Sequence, residues 1–320
     1  TPIQDQTIAL GLAGKDVIGI AGTGTGKTAA FALPILHQIL NDHTSRALIV
    51  APTRELAQQI ATECRAMAQG SNIMSALLLG GMSYGPQLRD LRSRPRLVIG
   101  TPGRIKDHLD RGTLQLGQFN LVVFDEVDRM LDMGFVNDVR LLLEHVAQKR
   151  QSFYFSATMD ARVDGLIRTF SPHAELVTVK TNDTSENVHQ DVVRFSGKTD
   201  KENKLHDTLI HPDTEKAIIF EATQRGVERL ENELRLRGFN VASIHGGKSQ
   251  AKRAHALASF KKGDVTILVA TDVAARGLDV TDITHVINYT QPQTYDDYIH
   301  RIGRSGRAGR IGYALTFVEQ

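Results

Sequence analysis

Short, uninterrupted apolar runs recur along the chain, separated by stretches in which apolar residues return every three or four positions. In the first part these runs are VIGIA, ALIVAP, SALLLG, RLVIGT, LVVFDE, SFYFSAT and ELVTVK. They have strand length and stay apolar at consecutive positions, the pattern of parallel strands covered on both faces. The segments between them, such as AAFALPILHQIL and RELAQQIATECRAMAQ, have helical spacing. Residues 181–190, TNDTSENVHQ, are polar and aperiodic and read as a linker. The alternation then resumes with DVVRF, KAIIFEA, VASIHG, VTILVATD, HVINYT and ALTFVE. Two α/β domains with mostly parallel sheets are predicted, over residues 1–180 and 191–320.

Composition adds limits. The 320 residues are 41% hydrophobic and 23% charged, with a net charge of +2. Up to residue 180 there are 19 Lys/Arg against 17 Asp/Glu, and beyond it 19 of each. Overall charge therefore does not point to nucleic acid, and any such reading must come from local residues. The single cysteine, Cys64, excludes an internal disulfide and a cysteine-based zinc site, and suits a reducing, cytoplasmic setting. No apolar run approaches the length of a membrane span. A chain that opens on TPIQ, without methionine, reads as an excised fragment.

Two local patterns carry chemistry. AGTGTGKT, residues 21–28, lies between a predicted strand and a predicted helix, the setting of a phosphate-binding loop. Gly22, Thr23, Gly24, Thr25 and Gly26 let backbone N–H groups approach phosphate oxygens, and the helix N-terminus adds a favourable dipole. Lys27 would reach the β and γ phosphates, and the Thr28 hydroxyl would bind Mg²⁺. The first position is Ala21 rather than the glycine of the strict pattern. The run LVVFDEVD, residues 121–128, delivers Asp125 and Glu126 at the carboxyl end of a strand, where open α/β sheets bind ligands. Asp125 suits the Mg²⁺ shell, and Glu126 suits the orientation or deprotonation of an attacking water. The pair of patterns predicts hydrolysis of ATP or GTP without saying what it drives.

With these motifs in place, the chain resembles the DEAD-box RNA helicases over nearly its whole length. TPIQDQ resembles the end of the family's Q motif, which implies that Gln4 reads the adenine edge of ATP. PTRELAQQ, GG and TPGR resemble its RNA-backbone motifs and imply RNA contacts by Arg54, Gly81, Thr101 and Arg104. The SAT segment, with Ser156 and Thr158, implies coupling of the ATP site to RNA together with Asp128. In the second domain, Phe220 and Thr223 align with the fourth motif, and Thr223, Gln250, Arg253 and Thr271 are implied at RNA. Arg276 and Asp279 are implied to face the nucleotide, with Arg276 also in the coupling between domains. HRIGRSGR supplies His300, Arg304 and Arg307 to catalysis, the two arginines acting on the γ-phosphate. The histidine that opens this motif favours DEAD-box over DEAH-box relatives.

The resemblance implies two RecA-like domains, ATP and Mg²⁺ as cofactors, and RNA as a partner held through its backbone by a monomeric core. The name-giving motif here reads DEVD, with Val127 in place of alanine, a change that removes no functional group. Two rival functions share these motifs: an ATP-gated RNA clamp that does not separate strands, and a translocase acting on DNA.

Overall fold

A computed structural model describes the chain except at residues 23, 180–186, 276–279, 281 and 307–309 and the side chain of residue 296. The chain forms two compact units, Thr1–Thr181 and Asn182–Gln320. The first runs through α1 (Pro2–Leu12), β1 (Val17–Ile20), α2 (Lys27–Asn41), β2 (Ala47–Val50), α3 (Arg54–Met67), β3 (Ser75–Leu78), α4 (Tyr84–Arg92) and β4 (Leu97–Gly100). It continues with α5 (Pro102–Asp110), β5 (Leu121–Phe124), α6 (Val127–Asp132), α7 (Val136–His145), β6 (Gln151–Ser156), α8 (Ala161–Phe170) and β7 (Glu175–Thr178). Its sheet has the order β3-β4-β2-β5-β6-β1-β7, and the pairings between neighbouring strands are all parallel.

The consecutive apolar residues have a direct structural meaning in this sheet. Side chains alternate between the faces of a strand, and both faces are covered. Ala47, Ile49, Leu121 and Val123 pack into one core with α2 and α3. Their neighbours Leu48, Val50, Val122 and Phe124 pack into another on the opposite face. Each strand stops short of the apolar run that predicted it. Ala21, Ala51, Thr101 and Asp125 lie just beyond strand ends, so the chemistry-bearing residues gather at the carboxyl edge of the sheet.

The second unit runs through β8 (Val188–Phe195), α9 (Gly197–Ile210), β9 (Ala217–Phe220), α10 (Gln224–Leu236), β10 (Val241–Ile244) and α11 (Gln250–Lys262). It ends with β11 (Ile267–Ala270), α12 (Asp272–Ala275), β12 (His285–Asn288), α13 (Tyr295–Ile302) and β13 (Gly312–Glu319). The order β10-β11-β9-β12-β13-β8 is again parallel at each pairing. Ile219 and Val269 face one core and Ile218 and Leu268 the other.

One boundary differs from the sequence expectation. Val188, His189 and Gln190, expected in the linker, belong to β8, which pairs with β13 from Val188 to Phe195. This edge strand is mostly exposed between its two buried ends, so it lacks the apolar signature of the central strands. Among the described residues no helix is long and apolar enough to cross a membrane.

Candidate functional site

At the carboxyl edge of the first sheet, the loop after β1 enters α2 through two left-handed glycines, Gly24 (φ 79°) and Gly26 (φ 90°). A side chain at Gly26 would be strained at that φ and would run into the Gln4 amide. Gln4 holds the loop directly, since its Nε2 donates to the Gly26 carbonyl at 3.1 Å. The Thr25 hydroxyl donates to the Gly22 carbonyl at 2.9 Å, closing the turn. Lys27 is buried, and its Nζ donates to the Ala21 carbonyl at 2.9 Å. Thr28 follows as the second residue of α2. Thr23, expected in the same loop, lies outside the described residues.

Asp125 and Glu126 meet this loop from the end of β5. The Asp125 carboxyl is fully buried, and burial lifts its pKa to about 7 against the opposing pull of Lys27, with Glu126 adding to the rise. Glu126 combines two costs. Its backbone is left-handed (φ 54°, ψ 55°), a region unfavourable to a residue with a Cβ. Its Oε2 is buried without a hydrogen-bond partner among the described residues. Backbone strain and a buried carboxylate oxygen without a partner therefore coincide at Glu126.

The fit to a metal nucleotide follows from this donor set. Among the described residues no three His, Cys, Asp or Glu side chains converge on one point. Mg²⁺ would therefore take Asp125 and Thr28 from the chain and its remaining ligands from phosphate and water, its usual habit in nucleotide sites.

Asp128 ties this site to the SAT segment. Its Oδ2 accepts from the backbone N–H groups of Ala157 (3.1 Å) and Thr158 (3.0 Å) and from the Thr158 hydroxyl (3.2 Å). The Asp128 N–H donates to the Ser156 hydroxyl at 3.4 Å. Four hydrogen bonds thus join the DEVD segment to the end of β6 and the two residues after it. Val127, the departure from alanine, is fully buried in the core on that face, which accommodates the isopropyl group.

The residues expected at RNA in this unit lie along the ends of β2, β3 and β4. The Arg54 guanidinium lies against Gly81 (φ 72°), where any side chain would collide with it. Thr101 precedes α5 as its N-cap residue, and Arg104 Nη1 donates to the Met82 carbonyl at 2.9 Å. Four further residues hold this group together and escaped the motif reading. The Tyr84 ring has the guanidiniums of Arg104 and Arg111 at 4.3 and 4.2 Å from its centre. Gln87 Nε2 donates to the carbonyls of Leu79 and Ser83, fixing the turn that contains Gly80 and Gly81. His108 Nδ1 lies 2.8 Å from the Thr113 hydroxyl, and burial lowers its pKa, so the ring stays neutral near pH 7. A signal was available: Arg104, His108 and Arg111 fall at i, i+4 and i+7, one face of a helix.

In the second unit the expected residues occupy corresponding strand ends. Thr223 caps α10, its hydroxyl accepting from the Gly226 N–H at 3.0 Å. Gln250 and Arg253 begin α11 and are buried, as is Thr271 at the end of β11. A buried polar network supports the turn before α11. Lys248 Nζ reaches Glu231 Oε2 (3.0 Å) and the Ser243 hydroxyl (2.6 Å), and His245 Nδ1 accepts from the Gly247 N–H. Glu231 lies 17 residues from Lys248, and no spacing pattern joined them.

The arginine-rich segment divides by role. Arg301 forms a two-pronged pair with Asp272 (2.6 and 2.7 Å) and also donates to the Asn288 side chain and the Thr290 carbonyl. It is a structural arginine, which the three-residue period did not reveal. His300 lies on α13, and Arg304 follows the helix with 3% of its surface exposed. Arg276, Asp279 and Arg307, expected at the nucleotide, lie outside the described residues.

Comparison with known proteins agrees with this geometry. The DEAD/DEAH box helicase model matches residues 1–166, and the helicase conserved C-terminal domain matches residues 200–309. The chain is 45% identical to the DEAD-box ATP-dependent RNA helicase CshA of Bacillus subtilis, covering 99% of this chain and 65% of that relative. The chain thus spans just under two thirds of that curated relative's length. Among solved structures, S. cerevisiae Dbp5 bound to RNA and ADP BeF3 superposes with a TM-score of 0.86 at 29% identity, covering 99% of this chain and 83% of that one. Mss116p bound to ssRNA and AMP-PNP gives 0.88 at 32% identity, covering 100% and 70%. The chain belongs to the DEAD/DEAH box helicase family, and its two parallel sheets have the RecA-like fold of those neighbours.

Proposed function

We propose that this chain is the core of an ATP-dependent RNA helicase, in which RNA-stimulated ATP hydrolysis drives local separation or remodelling of RNA duplexes. The observation that carries the chemistry is the strained, incompletely bonded Glu126 beside buried Asp125 at the mouth of the Lys27 loop. Lys27 exchanges its bond to the Ala21 carbonyl for the β and γ phosphates, and Gln4 orients the adenine while bracing Gly26. Asp125 and Thr28 would hold Mg²⁺, which would supply charge neutralisation for the phosphates. Glu126 orients the attacking water and accepts its proton.

RNA lies across Arg54, Gly81, Thr101 and Arg104, with Thr223, Gln250, Arg253 and Thr271 contributing from the second unit. These groups suit phosphate and sugar rather than base edges, so sequence matters little and the 2′-hydroxyl provides discrimination. Asp128, with Ser156 and Thr158, transmits the nucleotide state to the RNA contacts, and Arg276 and Asp279 take part in the same exchange. Arg304 and Arg307 stabilise the charge that develops on the transferring phosphoryl group, and His300 supports them. The protein acts in the cytoplasm as a monomeric core. The RNA-bound states of the structural neighbours and the function named for CshA support this reading.

ATPase assays with RNA, DNA of the same sequence and no nucleic acid test it. RNA should stimulate hydrolysis far above the other two. Equal stimulation by DNA would turn the reading into a DNA translocase.

A further inference from the structure

The amino edge of the first sheet, opposite the nucleotide and RNA positions, carries a pocket with about 850 Å³ of free space, part of it open to solvent. Arg46, just before β2, and Arg94, just before β4, line it with Gln115 and Gln118, over Val98 and Phe119. No carboxylate is among its lining residues. The two guanidiniums have no hydrogen bond or ion pair among the described residues, unlike the arginines of the RNA face. Gln118 Nε2 donates to Gln115 Oε1 at 2.6 Å, which leaves the Gln115 NH₂ group as a donor.

A second observation converges on the same place. Arg94 has φ 53°, and it and Glu126 are the only non-glycine residues with left-handed φ among those described. It directly follows the C-cap of α4, Ser93, a position where glycine is common because it carries no Cβ penalty. An arginine there accepts a backbone cost and sets its guanidinium on the pocket. The other left-handed residue is Glu126, whose carboxylate oxygen is buried without a hydrogen-bond partner among the described residues.

We propose that this pocket binds a small hydrophilic polyanion, with two or more phosphate or carboxylate groups, at a site separate from the phosphate loop. Two planar guanidinium forks and an amide donor match oxyanions through paired hydrogen bonds. The distance along the strands from this edge to Asp125 keeps a small ligand from touching both sites. The proposal does not depend on the helicase reading.

Calorimetric titration at low salt with pyrophosphate, and separately with citrate, tests it on the intact chain, on Arg94→Gly and on Arg46→Gln/Arg94→Gly. Pyrophosphate should show two classes of site in the parent and only the phosphate-loop class in the double variant, which makes that class an internal control. Citrate binding to the parent should weaken at least about tenfold on loss of each arginine. Binding of both probes marks a general polyanion site, and binding of pyrophosphate alone at the second class assigns it to phosphates. Arg94→Gly should weaken binding while raising Tm, because glycine relieves the left-handed backbone. Identical titrations of parent and double variant, or a parent with no second class, would overturn the proposal. A fall in both Tm and affinity for Arg94→Gly would also overturn it, by making the loss one of fold.

Discussion

Replacing Asp125 with asparagine should remove a proton exchange that the folded site builds into metal–nucleotide binding. Burial raises the Asp125 pKa from 3.8 to about 7, although Lys27 pulls it down. Only the ionised carboxylate binds Mg²⁺. Binding of a preformed Mg–ADP complex should therefore release about 0.9 proton at pH 6 and about 0.1 at pH 8. Below pH 7 the affinity should fall by up to about tenfold per pH unit.

The same shift has a sign for stability. The folded pKa lies above the unfolded one, so the neutral carboxyl favours folding, and this contribution is lost as pH rises from about 4 through 7. Three units correspond to about 4 kcal/mol, a ceiling that relaxation and water entry reduce to about 2 kcal/mol. Asp125→Asn should then be more stable than the parent at pH 8, with the gap closing near pH 4. Calorimetry in buffers of different ionisation enthalpy reads the proton count, and denaturant unfolding across pH reads the stability. Equal proton release at pH 6 and 8, or the same release from Asp125→Asn, would refute the reasoning.

Other expectations follow from the same geometry. Glu126→Gln should bind nucleotide as the parent does but lose on the order of 10²–10⁴ in turnover, and parental turnover in single-cycle assays would remove Glu126 from its role. Asp128→Ala strands the N–H groups of Ala157 and Thr158, so it should cost about 2–4 kcal/mol in denaturant unfolding and uncouple ATPase from RNA. A variant that stays RNA-stimulated would show that this link does not transmit. Arg304→Lys should lower hydrolysis on the order of 10³-fold and leave the salt slope of nucleotide-free RNA binding unchanged. A slope flattened by about one unit, with intact ATPase, would instead make Arg304 a phosphate contact for RNA.

The parts of this protein that the sequence determined are those in which adjacent residues act together. A parallel strand covered on both faces must be apolar at successive positions, so Leu48–Val50 and Val122–Phe124 announced themselves without any partner in view. The glycine-rich loop was equally legible, because Gly22, Gly24, Gly26, Lys27 and Thr28 follow one another in a short stretch between β1 and the first turn of α2. Asp125 and Glu126 were legible as the end of an apolar run.

The tertiary structure decided what depends on residues far apart. β8 is exposed along most of its length and owes its strand to β13, so its first three residues resembled linker. Arg301 and Arg304 share one sequence period, yet Asp272, Asn288 and Thr290 make the first a structural clamp. Asp128 closes on Ala157 and Thr158 across some thirty residues, with no spacing rule to join them. The strain at Glu126 and Arg94 is a backbone property that side-chain pattern does not encode. Periodicity records which face of an element is buried, whereas hydrogen bonds and strain record what that face meets, and only the folded chain brings the two partners together.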